Sequence, residues 1–229
     1  CMPGTYTLAA TVTLDTSATV LKPYINNGTR NVTITTASDV DLITCTGANT
    51  QIEGIRFVGN AAQTTSPVLV SYATGDSNRI NNCMFDCVNV AALQAITIAS
   101  GSIENIVDHN YFTGQVTAVS QILDNGARTQ VTDNVFSVVN TAPSAYTNVG
   151  GGTNDHQVFA RNIIMGDGGA RATMIVPLVA TAEAFAMTGN HFFGTSSATP
   201  WGQSANFAEQ FTENYVASGA GGVLIDPVA

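Results

Sequence analysis

Few side chains in this sequence could do acid–base chemistry: Asp and Glu number 16, His 3, and Lys and Arg together 7. His109, Asp133 and Arg161 hold equivalent places in a repeat, at separations of 24 (133 − 109) and 28 (161 − 133) residues. If each repeat is one coil of a stack, the three lie as neighbours about 5 Å apart. A retaining glycosidase needs two carboxylates about 5–5.5 Å apart and an inverting one about 6.5–9.5 Å. This column offers one carboxylate beside two potential cations, which reads more simply as a surface charge ladder of small energetic value. The other route to a carboxylate pair is a cleft drawing together two of Asp108, Asp124, Asp155 and Asp167. Asp133, Asp155 and His109 are therefore the catalytic candidates, whereas His156 and His191 read as surface or turn residues. No cofactor motif is present, and Cys1, Cys45, Cys83 and Cys87 form no CxxC pair and no metal-ligand spacing.

The repeat that must position these groups is clearest at Val131, Asn134 and Phe136: an apolar residue, Asn three places on, and a second apolar residue two further. The frame recurs at Val107/Asn110/Phe112, Phe159/Asn162/Ile164, Met187/Asn190/Phe192 and Phe211/Asn214/Val216. Ile52/Ile55/Phe57 and Ile80/Cys83/Phe85 keep the apolar ends without the Asn. The last positions (57, 85, 112, 136, 164, 192, 216) are spaced by 28, 27, 24, 28, 28 and 24 residues, the mark of a solenoid. Between copies lie second apolar runs such as Leu42-Ile43, Val68-Leu69-Val70, Ala95 to Ile98, Ile122-Leu123 and Met174 to Val176. Gly and Asn/Asp clusters such as Gly75-Asp76 and Asn125-Gly126 punctuate them as turns. No stretch keeps a 3.6-residue period.

Short strands joined into coils can bury their apolar side only by stacking coil on coil. The expected fold is all-β, a right-handed single-stranded parallel β-helix of about eight coils of 24–28 residues, about 40 Å long at the strand spacing of a sheet. It forms one domain over 1–229: first, less regular coils at 1–49, including a strand run from Thr5 to Leu14, regular repeats at 50–216, and a tail at 217–229 that partly covers one end. The opening Cys-Met-Pro-Gly reads as the middle of something, so a longer natural chain is expected.

Within such a coil an inward Asn stacks on the Asn of the next, amide on amide, because a buried carboxamide is tolerable only when paired. Asn110, Asn134, Asn162, Asn190 and Asn214 form this structural ladder, and Cys83 takes the same inward place as a small buried hydrophobe. The residue before each rung points outward. The residue after it reads Arg56, Met84, Tyr111, Val135, Ile163, His191 and Tyr215, five of the seven apolar or aromatic. Met84, Tyr111, Val135, Ile163 and Tyr215 are thus interface candidates. Either this stripe meets a partner, or long turns such as Ala61 to Pro67 and Thr141 to Asn148 fold over it.

Composition narrows the partners. Hydrophobic residues make up 45% of the chain and charged ones 10%, and the net charge is −9, so nothing can neutralise a row of phosphates. Lys22 is the single lysine. No run approaches 18 apolar residues, which excludes a spanning helix.

Pro3 to Leu8, Thr50 to Phe57 and the Asn-Xaa-Phe copies together resemble the right-handed β-helix superfamily of the pectate lyases. That resemblance implies the fold over nearly the whole chain. It leaves function open among lyases, glycoside hydrolases, bacteriophage tailspikes, virion surface proteins and adhesins. The arginine, lysine and calcium-binding Asp set of the lyases finds no match, nor do the Asn-Thr-Asp, Asp-Asp, Gly-His-Gly and Arg-Ile-Lys signatures of the polygalacturonases. The expectation is a non-catalytic bacteriophage spike, fibre or decoration module at a virion surface or in the extracellular space. It is expected to be homotrimeric, with other virion proteins and host glycans as partners. The alternatives are a carbohydrate-active lyase or hydrolase and a glycan-binding adhesin.

Overall fold

The computed structural model describes residues 1–24, 31–65, 68–90, 94–116, 120–138, 144–148, 156–166, 175–177, 185–195, 210–218 and 221–225. These residues form an all-β parallel solenoid with three sheets, each coil contributing one strand to each sheet in turn. Sheet A stacks Gly4–Leu8, Val32–Thr36, Ile55–Val58, Met84–Val90, Tyr111–Val116, Val135–Val138, Ile163–Gly166, His191–Thr195 and Asn214–Ser218. These nine parallel levels compare with the roughly eight coils expected. Gly221–Ile225 turns back antiparallel on Asn214–Ser218, so part of the tail pairs the last edge of this sheet. Sheet B runs from Val12–Leu14 to Ile175–Pro177 in seven strands, and sheet C from Val20–Leu21 to Gln210–Thr212 in eight. The Thr5 to Leu14 run is two strands in different sheets, Gly4–Leu8 and Val12–Leu14, because the chain turns a corner at Ala9 and Ala10. Ser144–Asn148, expected within a turn, is a strand of sheet B.

Alternation sorts each strand's side chains inward and outward. In sheet A the inward column is Phe57, Phe85, Phe112, Phe136, Ile164, Phe192 and Val216, matched residue to residue between coils and buried. The Phe57–Phe85, Phe85–Phe112 and Phe112–Phe136 ring centroids lie 5.3, 4.9 and 4.6 Å apart in stacked geometry. Each such pair contributes about 0.5–1.5 kcal/mol beyond its area. Ile52, Ile80, Val107, Val131, Phe159 and Met187 fill the inward column of sheet C, and Ile43, Val70, Ile96, Ile122 and Tyr146 that of sheet B.

The corner from sheet C to sheet A is made by one residue. Gly54, Asn82, His109, Asp133, Arg161, Gly189 and Glu213 all take positive φ, between 54° and 69°, and so reverse the chain in a single step. The residue after them is the inward ladder position. Asn110, Asn134, Asn162 and Asn190 each donate their backbone N–H to the Oδ1 of the next coil's Asn at 2.9–3.1 Å. Their Nδ2 donates to the same oxygen at 2.9–3.1 Å. The second Nδ2 hydrogen goes to the carbonyl of the coil before, for example Val107 at 2.8 Å from Asn134 and Val131 at 2.9 Å from Asn162. Each interior rung is thereby satisfied at both ends. Cys83 is fully buried and its N–H donates to Asn110 Oδ1 at 2.9 Å, so the ladder begins one coil before the first Asn.

The corner from sheet B to sheet C repeats the device. Ala18, Asn49, Ser77, Glu104, Arg128 and His156 have φ between 53° and 60°. The inward residues that follow (Thr50, Asn78, Asn105, Thr129 and Gln157) are buried and polar. Thr50 Oγ1 donates to the Gly47 carbonyl at 3.1 Å and Asn78 Nδ2 to that of Gly75 at 3.0 Å. Coils approach so closely here that a Cβ on Gly75 would lie 2.5 Å from the Gly47 carbonyl oxygen.

Two outcomes follow for stability. Asn134→Ala removes the oxygen to which the Asn110 N–H and Nδ2 donate and the amide that reaches Val107 and Asn162, and is expected to lower unfolding free energy by about 2–4 kcal/mol; a loss below about 1 kcal/mol in guanidinium titration would contradict the ladder's role. At His156, which is exposed and left-handed, Gly is expected to raise stability and Val to lower it by about 1 kcal/mol or more, checked by thermal melts of the two variants.

Candidate functional site

The outer surface of sheet C and its two corners carries most of the described ionised side chains. Arg161 and Asp133 form a two-pronged pair, Nε to Oδ1 at 2.8 Å and Nη2 to Oδ2 at 2.7 Å, across successive coils. His109, expected to join this stack, instead places Nδ1 2.8 Å from Oδ2 of Asp108, the residue before it. Asp108 is the better partner because it is only 4% exposed and already held by Arg79, whose Nε and Nη2 donate to it at 2.8 and 2.6 Å. The sheet register places Asp108 between Asn81 and Thr132. The column of three is thus divided into an Arg79–Asp108–His109 cluster and an Asp133–Arg161 pair.

Burial alone would push the Asp108 carboxyl up, but hydrogen bonds and charge from Arg79 and His109 outweigh it and hold the group below the usual range. The Arg161 hydrogen bonds depress Asp133 against a smaller effect of burial. Both carboxylates are therefore ionised near neutral pH, and neither can serve as the proton-donating acid that glycoside hydrolysis requires. Two of the scattered carboxylates, Asp155 and Asp167, lie outside the described residues. Asp124 is fully buried in sheet B, out of reach of any substrate. Cys45, Cys83 and Cys87 are buried thiols outside any disulfide, and burial raises the Cys45 thiol to about 12, so it is not a thiolate nucleophile. Among the described residues no group of three His, Cys, Asp or Glu converges as metal ligands.

At the B-to-C corner, Ser77, Glu104, Ile106, Arg128, Gln130 and His156 line an open depression of about 490 Å³. Glu104 and Arg128 pair at 3.3 Å, and Ser77 Oγ donates to Glu104 Oε2 at 3.3 Å. The wall is built from consecutive left-handed residues, each forced outward by its φ. This column was missed in the sequence, although its trace is there: Asn49, Ser77, Glu104, Arg128 and His156 each stand five residues before an outward corner residue of the next bend (54, 82, 109, 133, 161).

Sheet A presents the other surface. Arg56, Met84, Tyr111, Val135, Ile163, His191 and Tyr215 are matched coil to coil in one outward column. Met84, Tyr111, Val135 and Tyr215 are partly exposed and Ile163 is 38% exposed. His191 lies on a strand rather than a turn, with its ring centroid 5.7 Å from that of Tyr215 and 6.2 Å from that of Phe193, which is itself 36% exposed. The described part of the loop at Ala61 to Thr65 turns toward the preceding coil instead: Thr64 and Thr65 bond Asp39, and Gln63 Nε2 donates to the Val40 carbonyl at 2.8 Å.

Comparison of the sequence with protein-family models and with curated proteins finds no match.

The balance at Asp108 yields a direct check. With Arg79→Gln the hydrogen bonds and positive charge that oppose burial are lost, so the Asp108 midpoint is expected to move upward in a carboxyl-carbon NMR titration, while Asp133 keeps its depressed value. An unchanged Asp108 midpoint would show that Arg79 does not set it.

Proposed function

We propose that this chain is a non-catalytic structural module of the spike, fibre or decoration kind found on virion surfaces, related to the pectate lyase-like β-helices and assembling as a homotrimer. The carrying observation is the apolar outward column of sheet A: Tyr111, Val135, Ile163 and Tyr215 stand in register, Ile163 exposed and the other three partly exposed. An outward column in an isolated rod favours polar residues, and a stripe about four coil steps long is suited to burial against copies of itself. The closed ion pairs of sheet C support the same reading, since they leave its two described outer aspartates ionised and paired. Exposure at a virion surface or in the extracellular space fits a rod with one lysine and abundant neutral polar groups.

A second reading, glycan binding without cleavage, is favoured by the exposed rings of His191, Phe193 and Tyr215, whose centroids lie 5.7 to 6.2 Å apart. Aromatic faces of this kind give a sugar ring an apolar platform with polar groups at its edge.

Light scattering coupled to size-exclusion chromatography decides the first reading. The chain is expected to elute as a trimer, Ile163→Asp to convert it to monomer, and Thr44→Asp, on the outer face of sheet B, to leave it trimeric. A monomeric parent chain would refute the assembly. Polysaccharide turnover abolished by Asp133→Asn would move the assignment to an enzyme. Glycan retention lost with Tyr215→Ala, without turnover, would move it to the adhesin.

A further inference from the structure

Inside the coil stack, away from every outer surface, lies a short chain of oxygen atoms. Asp124 Oδ2 is 2.7 Å from the Tyr146 hydroxyl, and that hydroxyl is 3.0 Å from Gln157 Oε1. All three side chains are buried. The Gln157 amide is oriented by its other end, where Nε2 donates to the Gly126 carbonyl at 2.8 Å, so Oε1 must face the tyrosine. The second carboxyl oxygen of Asp124 accepts from the Gly126 N–H at 2.8 Å and the Thr129 hydroxyl at 3.3 Å. These contacts join sheet B to the B-to-C corner and tie the 120–138 coil to its successor.

A hydrogen count decides the charge state this geometry fits. A phenol has one hydrogen, and a carboxylate and an amide oxygen are both acceptors. If Asp124 is ionised, Tyr146 can serve only one of its two oxygen neighbours, and Gln157 Oε1 or the carboxylate loses its donor. If Asp124 is neutral, its O–H donates to Tyr146 and Tyr146 donates to Gln157, so both contacts are hydrogen bonds. We propose that Asp124, Tyr146 and Gln157 form a proton-dependent clamp between two coils, closed when Asp124 is the neutral acid and loosened when it ionises.

The surroundings agree. Asp124 follows Cys45, Tyr72 and Ile98 in the inward column of sheet B, and Tyr146 is the titratable group that touches it. Glu104, Arg128 and His156, on the outer side of the same corner, are exposed to solvent. Desolvation raises the Asp124 carboxyl from 3.8 to about 6, against hydrogen bonds from Tyr146, Gly126 and Thr129 that favour the ion. A carboxyl raised on folding binds its proton more tightly in the folded state. Its stabilising effect is therefore complete below the unfolded value and is lost as pH rises through about 6. Asp108 and Asp133 are depressed, so their contributions are lost only at more acid pH.

The test is chemical denaturation of the parent chain and Asp124→Asn at a series of pH values from 4 to 8. The parent folding constant is expected to fall by roughly a hundredfold across this range relative to the variant; equal pH slopes for the two would overturn the proposal. Infrared spectroscopy of the parent supplies a readout that does not depend on the variant folding. A protonated-carboxyl carbonyl band that titrates near pH 6 is expected. Absence of that band at pH 5 would refute the clamp. The inference concerns the coil interior and stands or falls independently of what the outer faces bind.

Discussion

The fold depends on carrying a coil around a sharp corner without leaving backbone groups unpaired. One residue at positive φ makes the bend from sheet C to sheet A, and the bend turns the N–H of the next residue inward, where it needs an acceptor. The Asn that follows supplies the missing groups: its oxygen takes two donors from the coil before, and its amide hydrogens reach a carbonyl and the next carboxamide. Because Oδ1 must meet the N–H of one specific residue, a slip of one position would break every rung. The ladder thus fixes register between coils of unequal length, 24 residues in one step and 28 in another. For these two coils the difference falls between sheets B and C, where Ile122 to Val131 is 9 residues (131 − 122) and Tyr146 to Phe159 is 13 (159 − 146). Stacking of Phe57 through Phe136 within 5.3 Å follows from that register and reinforces it.

The second corner solves the same problem with a mixed set. Thr50, Asn78 and Gln157 donate to the carbonyls of Gly47, Gly75 and Gly126, Asn105 to the Ser102 hydroxyl and Thr129 to the Asp124 carboxyl, so no single residue type marks the column. A heterogeneous corner tolerates local exceptions, and the Asp124–Tyr146–Gln157 chain is one. An interior of packed Phe and Ile provides no water to complete a hydrogen-bond set. A carboxyl there must either be neutral or find several donors, and Asp124 has both a raised affinity for its proton and three polar neighbours.

Fold class was legible because the Asn and Phe columns are homogeneous and recur at nearly constant spacing, which needs no knowledge of contacts. The ladder's chemistry was only half legible: side-chain stacking could be foreseen from Asn110 to Asn214, whereas the backbone N–H donors depend on the left-handed bend, whose column mixes Gly, Asn, His, Asp, Arg and Glu and so carries no single residue type. His109, Asp133 and Arg161 show how far spacing alone reads a charge ladder. Spacing placed them on one corner, but the hydrogen-bond choice of His109 was set by Asp108, a neighbour in sequence that register brings up to Arg79 of the coil before. Patterns fix which residues share a column. Which of two close acceptors a side chain takes is a matter of a few tenths of an ångström and of burial, neither of which spacing contains.

That division also determines where this molecule can be specific. Inward positions and both left-handed corners are committed to register, and changing them alters stability before it alters recognition. The three-residue strands of sheet C leave so little width that their outward charges fall within reach of one another and pair off, as Arg79 does with Asp108 and Arg161 with Asp133. Sheet A has longer strands and places two outward residues per level, enough for a continuous surface: Arg56 and Asp86 pair there at 2.6 Å, and later levels carry Val135, Ile163 and the rings of His191, Phe193 and Tyr215. A parallel solenoid offers its partners a flat face with a fixed period of about 4.8 Å. Recognition on such a face is governed by which residue stands at each level, so the change from Thr5, Thr33 and Arg56 toward one end of the outward column to Tyr215 at the other gives the rod a direction that a partner can read.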